Sequence, residues 1–383
     1  MSPMRGTFTT SAVRFDTADR RLRRHALSLT RHPGGWTLAT PDGEVHVPPT
    51  PGLDEVPHDL RWLVRAFTRG DDLVQVPHIA EPSPVTVPPD PSARGVVLAY
   101  LRTQIEEVAV ADLAVRRDER RAAPRMRTAV CRLHDTLETY SAILGGRKEV
   151  RGFVTELRWL TSGLDAACDI AAQWDRAHNH LAGLPRRFVT GDAELRIDQY
   201  FGCLTEEAGS TVFETLDSER YLWLLNALDV LETVLREESR SVWPKAAKRP
   251  AGKVLPSLIG EVVRLVDRRV EAVVPGSAPV DRVGKAVDRL RHAIEAAAPI
   301  APSGVGLELD RLRPLRKSLG EHREAVIARE HLRVLRRVAA EAGEAEFTYE
   351  RLERRETATA DSAARDLAGA WRGYRAQHSP LWT

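Results

Sequence analysis

From Ser92 to the end of the 383-residue chain the apolar residues recur at helical spacing, without the alternation a half-buried strand needs. Leu98, Leu101, Ile105 and Val108 open the first amphipathic helix. The pattern predicts helices over 93–118, 124–143, 148–183, 190–208, 217–238, 253–273, 278–297, 305–340 with a break near Gly320, and 344–376, joined by short loops rich in Pro and Gly. A chain that repeats this period so often must pack helix on helix, so neither a β-sandwich nor a doubly wound sheet can form there.

The region before it obeys another period. Val13 and Phe15, Leu27 and Leu29, Trp36 and Leu38, and Val45 and Val47 alternate with polar residues around Pro33-Gly34-Gly35 and Pro41-Asp42-Gly43. These are short antiparallel strands with tight turns, and a short helix is expected near Leu60 to Phe67. Five prolines fall in the eleven residues from Glu81 to Pro91, which excludes helix and suits an extended tether. The expected division is therefore an α+β region over 1–80, a linker over 81–91, and a helical region over 92–383 with halves of roughly 92–212 and 213–383. Long basic helices around Arg125 to Tyr140 and Arg282 to Glu295 suggest an internal duplication.

Composition narrows the function. Hydrophobic residues are 43% and charged residues 29%, which suits packed cores. The 56 basic residues nearly balance 54 acidic ones, so the net charge is only +2 and any anion site must be local. Cys131, Cys168 and Cys203 are odd in number and form no C-x-x-C pair, which argues for a reducing compartment. No apolar signal core opens the chain and no stretch approaches the roughly 18 apolar residues of a membrane span, so the expected location is cytoplasmic. No nucleotide loop, nucleophile elbow or dinucleotide signature is present, and no cofactor is implied. The segment Arg116-Arg-Asp-Glu-Arg-Arg121 interleaves acids with its arginines and reads as a solvated helix end rather than a nucleic-acid patch. Trp159, Trp223 and Trp371 sit in amphipathic patterns and are expected in the core. His178 and His180 point about 200° apart on a helix and cannot share one ion.

The run Ala123-Pro-Arg-Met-Arg-Thr-Ala-Val-Cys-Arg-Leu-His134, followed by Leu157-Arg-Trp-Leu-Thr-Ser-Gly-Leu-Asp-Ala-Ala-Cys-Asp169, resembles the CHAD family. So do Asp281-Arg-Val-Gly-Lys-Ala-Val-Asp-Arg-Leu-Arg-His292, Ser218-Glu-Arg-Tyr-Leu-Trp-Leu-Leu-Asn-Ala-Leu228 and Leu315-Arg-Lys-Ser-Leu-Gly-Glu-His-Arg-Glu324, in the family's order. The resemblance implies a mainly α fold, a pseudo-duplicated pair of four-helix bundles with a basic groove between them that binds inorganic polyphosphate. The strands before it resemble the middle of a CYTH domain, a family that hydrolyses triphosphate. Here no E-x-E-x-K motif precedes Phe15, the usual tunnel lysine falls on Ala39 and a usual arginine on Asp42, which argues against a triphosphatase.

On that resemblance the phosphate contacts are Arg127, Arg132, His134, Arg158, Lys285, Arg289, Arg291 and His322. Yet the signature histidines fall on Pro124 and Asp281, a family arginine on Cys168 and a family glycine on Asp165. Three outcomes stay open: a non-catalytic protein that still holds a polyanion; a groove rebuilt from Cys131, Cys168, Asp165, Asp169, Asp281, Asp288 and His292 for another small ligand, a metal or catalysis; and an interaction scaffold with no small ligand.

Overall fold

The computed structural model describes residues 12–49, 55–77, 91–119, 121–236, 243–273 and 279–377. Most of the proline-rich tether lies outside them.

Five antiparallel strands form the N-terminal sheet: β1 (Val13–Asp16), β2 (Ser28–His32), β3 (Gly35–Thr40), β4 (Gly43–Val47) and β5 (Val74–Val76), in the order β4-β3-β2-β1-β5. The four alternating segments are where the sequence places them. The three-residue β5, too short to show a period, was not foreseen; it pairs with β1, Phe15 opposite Gln75. Gly35 is required in its hairpin, because φ is +126° and a Cβ would meet the Val47 carbonyl oxygen at 2.3 Å. Buried Asp16 holds the first short helix α1 (Arg21–Arg24), its carboxylate accepting from the backbone N–H of Thr17, Leu22 and Arg23.

The inner face of the sheet, Leu29, Trp36 and Leu38, closes over Leu22 and over Leu60, Val64 and Phe67 of α2 (His58–Leu63) and α3 (Arg65–Thr68). The expected helix at 60–67 is thus two short ones, broken at Val64.

Twelve helices are described in all, and the nine longer ones follow the predicted order: α4 (Ala93–Arg116), α5 (Ala122–Tyr140), α6 (Arg147–Ala182), α7 (Ala193–Asp217), α8 (Glu219–Arg236), α9 (Ala251–Glu271), α10 (Pro279–Ala296), α11 (Pro302–Glu341) and α12 (Phe347–Gln377). Two boundaries differ from expectation. α7 runs on to Asp217 because Val212 and Leu216 continue its buried stripe past Gly209, and it stops at Ser218, whose Oγ accepts from the Tyr221 N–H. α11 does not break at Gly320, because Leu312, Leu315, Leu319, Leu332 and Leu335 keep one face buried on both sides of it.

Helices α4–α7 and α9–α12 repeat one arrangement, with α8 between them. At the junction, Ala93 N–H donates to the Arg249 carbonyl (2.8 Å) and Ala251 N–H to the Pro91 carbonyl (2.9 Å), a reciprocal pair about a pseudo-twofold axis. The apolar interior does not divide by half. One core joins the sheet to α4, α5, α8, α9 and α10, and a second, around Phe201, Leu332, Leu335 and Leu352, is built where α6, α7, α11 and α12 extend beyond it.

The sheet module is anchored on the helices through polar contacts. Arg69, 6% exposed, forms a two-bonded fork on Asp229 of α8 (2.9 Å each), and Trp62 Nε1 donates to Asp217. Arg116, expected in a solvated helix end, is instead buried at that junction. Trp371 is buried as expected, but Trp223 is 60% exposed, since the apolar residues of α8 run around the helix and only one side meets the core.

Candidate functional site

Helices α5 and α10 cross the pseudo-twofold axis antiparallel, and their seam is polar. Arg132 Nε donates to Glu295 (3.0 Å), Asp135 accepts from His292 Nδ1 (2.6 Å), and Arg289 donates to Glu138 (2.9 Å). His292 lies 157 residues after Asp135, and the same offset carries Arg132 onto Arg289 and Glu138 onto Glu295. The outer two ion pairs are therefore twofold mates, with the Asp135–His292 bond on the axis. Burial works to raise the Asp135 carboxyl, but hydrogen bonds from His134 and His292 bring it below the usual carboxylate range. A guanidinium can only donate, so His134 Nε2 accepts from Arg158 (3.2 Å) and His292 Nε2 from Arg291 (2.6 Å).

The structure brings most of the expected phosphate contacts to this region and gives most of them internal partners. Arg127 is bound to Asp165 (2.5 Å), Lys285 to Asp281 (2.9 Å), and Arg291 and Arg132 share Glu295. Glu295 sits below the usual carboxylate range: burial opposes this, and Arg291 and Arg132 outweigh it. Asp165 and Asp281 are two of the replacements visible in the sequence, and each satisfies a neighbouring cation. His322 lies on α11 within electrostatic reach of Asp281, with burial and then Arg329 lowering its pKa.

Of the seven residues of the alternative pocket, Cys131, Cys168, Asp165, Asp169 and Asp288 lie near enough to influence one another through Cys131 and Cys168, and each carboxylate also faces a cation. Cys131, Cys168 and Asp165 surround Arg127, close enough to interact electrostatically. Asp169 takes Arg323 (2.7 Å), Asp281 is at the exposed end with Lys285, Asp288 lies 3.9 Å from both Arg291 and Arg316, and His292 is buried against Asp135. No three His, Cys, Asp or Glu side chains among the described residues are placed to hold a metal. Burial pushes the Cys168 thiol up to about 12 and raises Cys131, despite Arg127 beside both. Neither is activated as a thiolate. A maleimide at neutral pH is accordingly expected to label exposed Cys203 first and to spare Cys131 and Cys168 until the chain unfolds; mass mapping of rapid modification at Cys131 would contradict this.

His178 and His180 diverge as their spacing requires. The first faces Asp198 (3.1 Å), while the second meets buried Glu356 (2.6 Å).

The unneutralised charge lies elsewhere. A groove of about 410 Å³ runs between α9, the start of α6 and the α5–α10 seam. Arg147, Arg264, Arg268, Arg269 and Arg289 line it with Thr139, over a floor of Leu258, Val262 and Leu265; Glu261 is the carboxylate of its lining. Among the described residues, Arg147, Arg264, Arg268 and Arg269 have no ion-pair partner. The N-terminus of the 36-residue α6 opens beside it, uncapped by any side chain, and adds its positive dipole end. Only Arg289 was singled out from the sequence. The available signal was the i, i+4, i+5 spacing of Arg264, Arg268 and Arg269 along α9.

The twofold mate of α9 carries no arginine at the equivalent positions. Val97, Leu101, Ile105 and Val108 of α4 are buried like Leu255, Ile259, Val263 and Val266 of α9. In that register Arg264, Arg268 and Arg269 correspond to Glu106, Val110 and Ala111.

The sequence model of the CHAD domain matches residues 99–333, more than half of the chain. Uncharacterized proteins from two strains of Mycobacterium tuberculosis are each 29% identical over 309 residues, covering 79% of this chain but 57% of their own length. Among solved structures, PptA from Streptomyces chartreusis superposes with a TM-score of 0.60 at 22% identity, covering 73% of this chain and 99% of PptA. The CHAD domain from the plant Ricinus communis superposes with a TM-score of 0.58 at 19% identity, covering 79% and 97%. At these identities the likeness to solved structures is one of fold. No helix among the described residues is long and apolar enough to cross a membrane.

Proposed function

The chain belongs to the CHAD domain family, and from that premise we propose that it is a non-catalytic binder of inorganic polyphosphate or a related polyanion, held in the arginine groove between α6, α9 and α10. The observation that carries this reading is that four of the groove's five guanidiniums, Arg147, Arg264, Arg268 and Arg269, have no ion-pair partner among the described residues. Each can present a planar fork to phosphate oxygens from a backbone already held in a packed helix. The resemblance-derived face along α5 and α10 supports the reading less well, because a ligand there must first displace Asp165, Asp281 or Glu295.

The test is the salt dependence of binding. Long-chain polyphosphate should bind the intact protein at low salt, and four to five phosphate contacts should cost about 300-fold in affinity between roughly 50 and 300 mM salt through counterion release. Absence of binding at low salt would remove the proposal; binding that ignores salt would point to a ligand of another chemistry.

A further inference from the structure

Arg289 is the groove guanidinium that also belongs to the α5–α10 seam. Its Nε donates to Thr139 Oγ1 (2.9 Å) and one terminal nitrogen to Glu138 (2.9 Å), while Arg147, Arg264, Arg268 and Arg269 meet no carboxylate among the described residues. The twofold mate of this ion pair is built differently. Glu295, with its side chain 17% exposed, receives Arg132, Arg291 and the Tyr100 hydroxyl together, whereas Glu138 is 34% exposed and has Arg289 as its cation. Half-exposed single ion pairs are weak and exchange readily, so the Glu138 contact is the looser of the two.

Resting on the reading of the groove as a polyanion site, we infer that Glu138 is a built-in competitor for Arg289, displaced by a run of several linked phosphates and not by a lone one. A single phosphate at Arg289 offers that cation little more than the carboxylate already there and must bear the repulsion of Glu138. A chain that also engages Arg264, Arg268 and Arg269 gains their contacts in the same event, because the second and third contacts are intramolecular once the first has formed. Glu138 thus sets a threshold of ligand length, and occupancy of the groove is coupled through Arg289 to the joint between the two halves.

The experiment compares long-chain polyphosphate, tripolyphosphate and orthophosphate on the full chain and on Glu138→Gln, each with and without Arg289→Ala. Glutamine keeps a hydrogen-bond acceptor for Arg289 and removes the charge. Expected is a gain of about fivefold in affinity for the two chains in Glu138→Gln, with the short one gaining most in relative occupancy, and loss of that gain once Arg289 is alanine. An equal gain in both backgrounds means that Glu138 acts only as a distant charge, and overturns the inference; so does unchanged affinity, or orthophosphate binding as tightly as the chains. Failure of every polyphosphate to bind the wild type removes the reading of the groove itself, a result distinct from these. Should Glu138→Gln not fold, Glu138→Asp retracts the carboxylate by one methylene and must still raise affinity for the chains.

Discussion

Replacing Arg264 and Arg268 together by alanine is expected to lower affinity for long-chain polyphosphate by about a hundredfold at low salt, and to flatten the dependence of log K on log salt by about 1.5. Both side chains are exposed, neither has an ion-pair partner among the described residues, and both point into the same groove. Their loss therefore leaves the apolar stripe of α9 and its contacts intact. A charge-assisted contact to phosphate contributes about tenfold, since no internal carboxylate has to be displaced first. The comparison that gives the result its meaning is Arg127→Ala with Lys285→Ala. These residues match the family's ligand face, but Asp165 and Asp281 already neutralise them, so that double variant should bind within about twofold of wild type. The reverse ranking would place the ligand on the α5–α10 face instead. Circular dichroism and the melting temperature separate lost contacts from lost structure.

Arg116→Met should cost about 3–5 kcal/mol of stability, the largest loss expected from any single substitution at the junction of the two regions. The Arg116 and Asp112 side chains are both fully buried, joined at 2.7 Å, and Arg116 also bonds Asp217 (2.7 Å) and the Leu216 carbonyl while lying under the Trp62 ring at 4.7 Å. Methionine keeps much of the volume but leaves Asp112 without its cation. Burial already raises the Asp112 carboxyl above the usual range, with Arg116 the main force opposing it. The sign of the pH effect follows from this. A carboxyl whose folded pKa lies above its unfolded value binds a proton more tightly when folded, so stability is highest below the unfolded pKa and falls as pH rises through the folded one. In Arg116→Met that opposing force is gone, and the destabilisation should be smaller in mild acid than at neutral pH, in urea melts across that range. A variant equally destabilised at every pH would show that Asp112 is not the group left unsatisfied, and that lost packing against Trp62 accounts for the cost.

The fold was largely legible because periodicity is a local property. The stripe Leu98, Leu101, Ile105 and Val108 specifies a helix and its buried face without reference to any other segment, and the alternation around Trp36 and Leu38 does the same for a strand. Boundaries were legible where a turn residue and the end of the stripe coincide, as at Gly183 after α6, and misread where they do not, as at Gly209 and Gly320 inside α7 and α11. The candidate site was legible only in part. Family resemblance identified α5 and α10 as the helices to inspect, and the acids at 165 and 281 could be seen in the sequence, but not that each had paired with a cation of the same face.

The sequence by itself determined a helical chain after a small sheet, with the order and nearly all the extents of its helices, and identified the family to which it belongs. Only the tertiary structure decided which charges are available. Arg116 and Arg268 are both arginines near the end of an amphipathic helix, and nothing local distinguishes them. One is buried between Asp112, Asp217 and Trp62, while the other stands in a groove with no ion-pair partner among the described residues. Whether a guanidinium is spent on an internal partner or left for a ligand depends on what distant helices bring within a few ångströms of it. Electrostatic pairing is short in range in space and unrelated to separation along the chain.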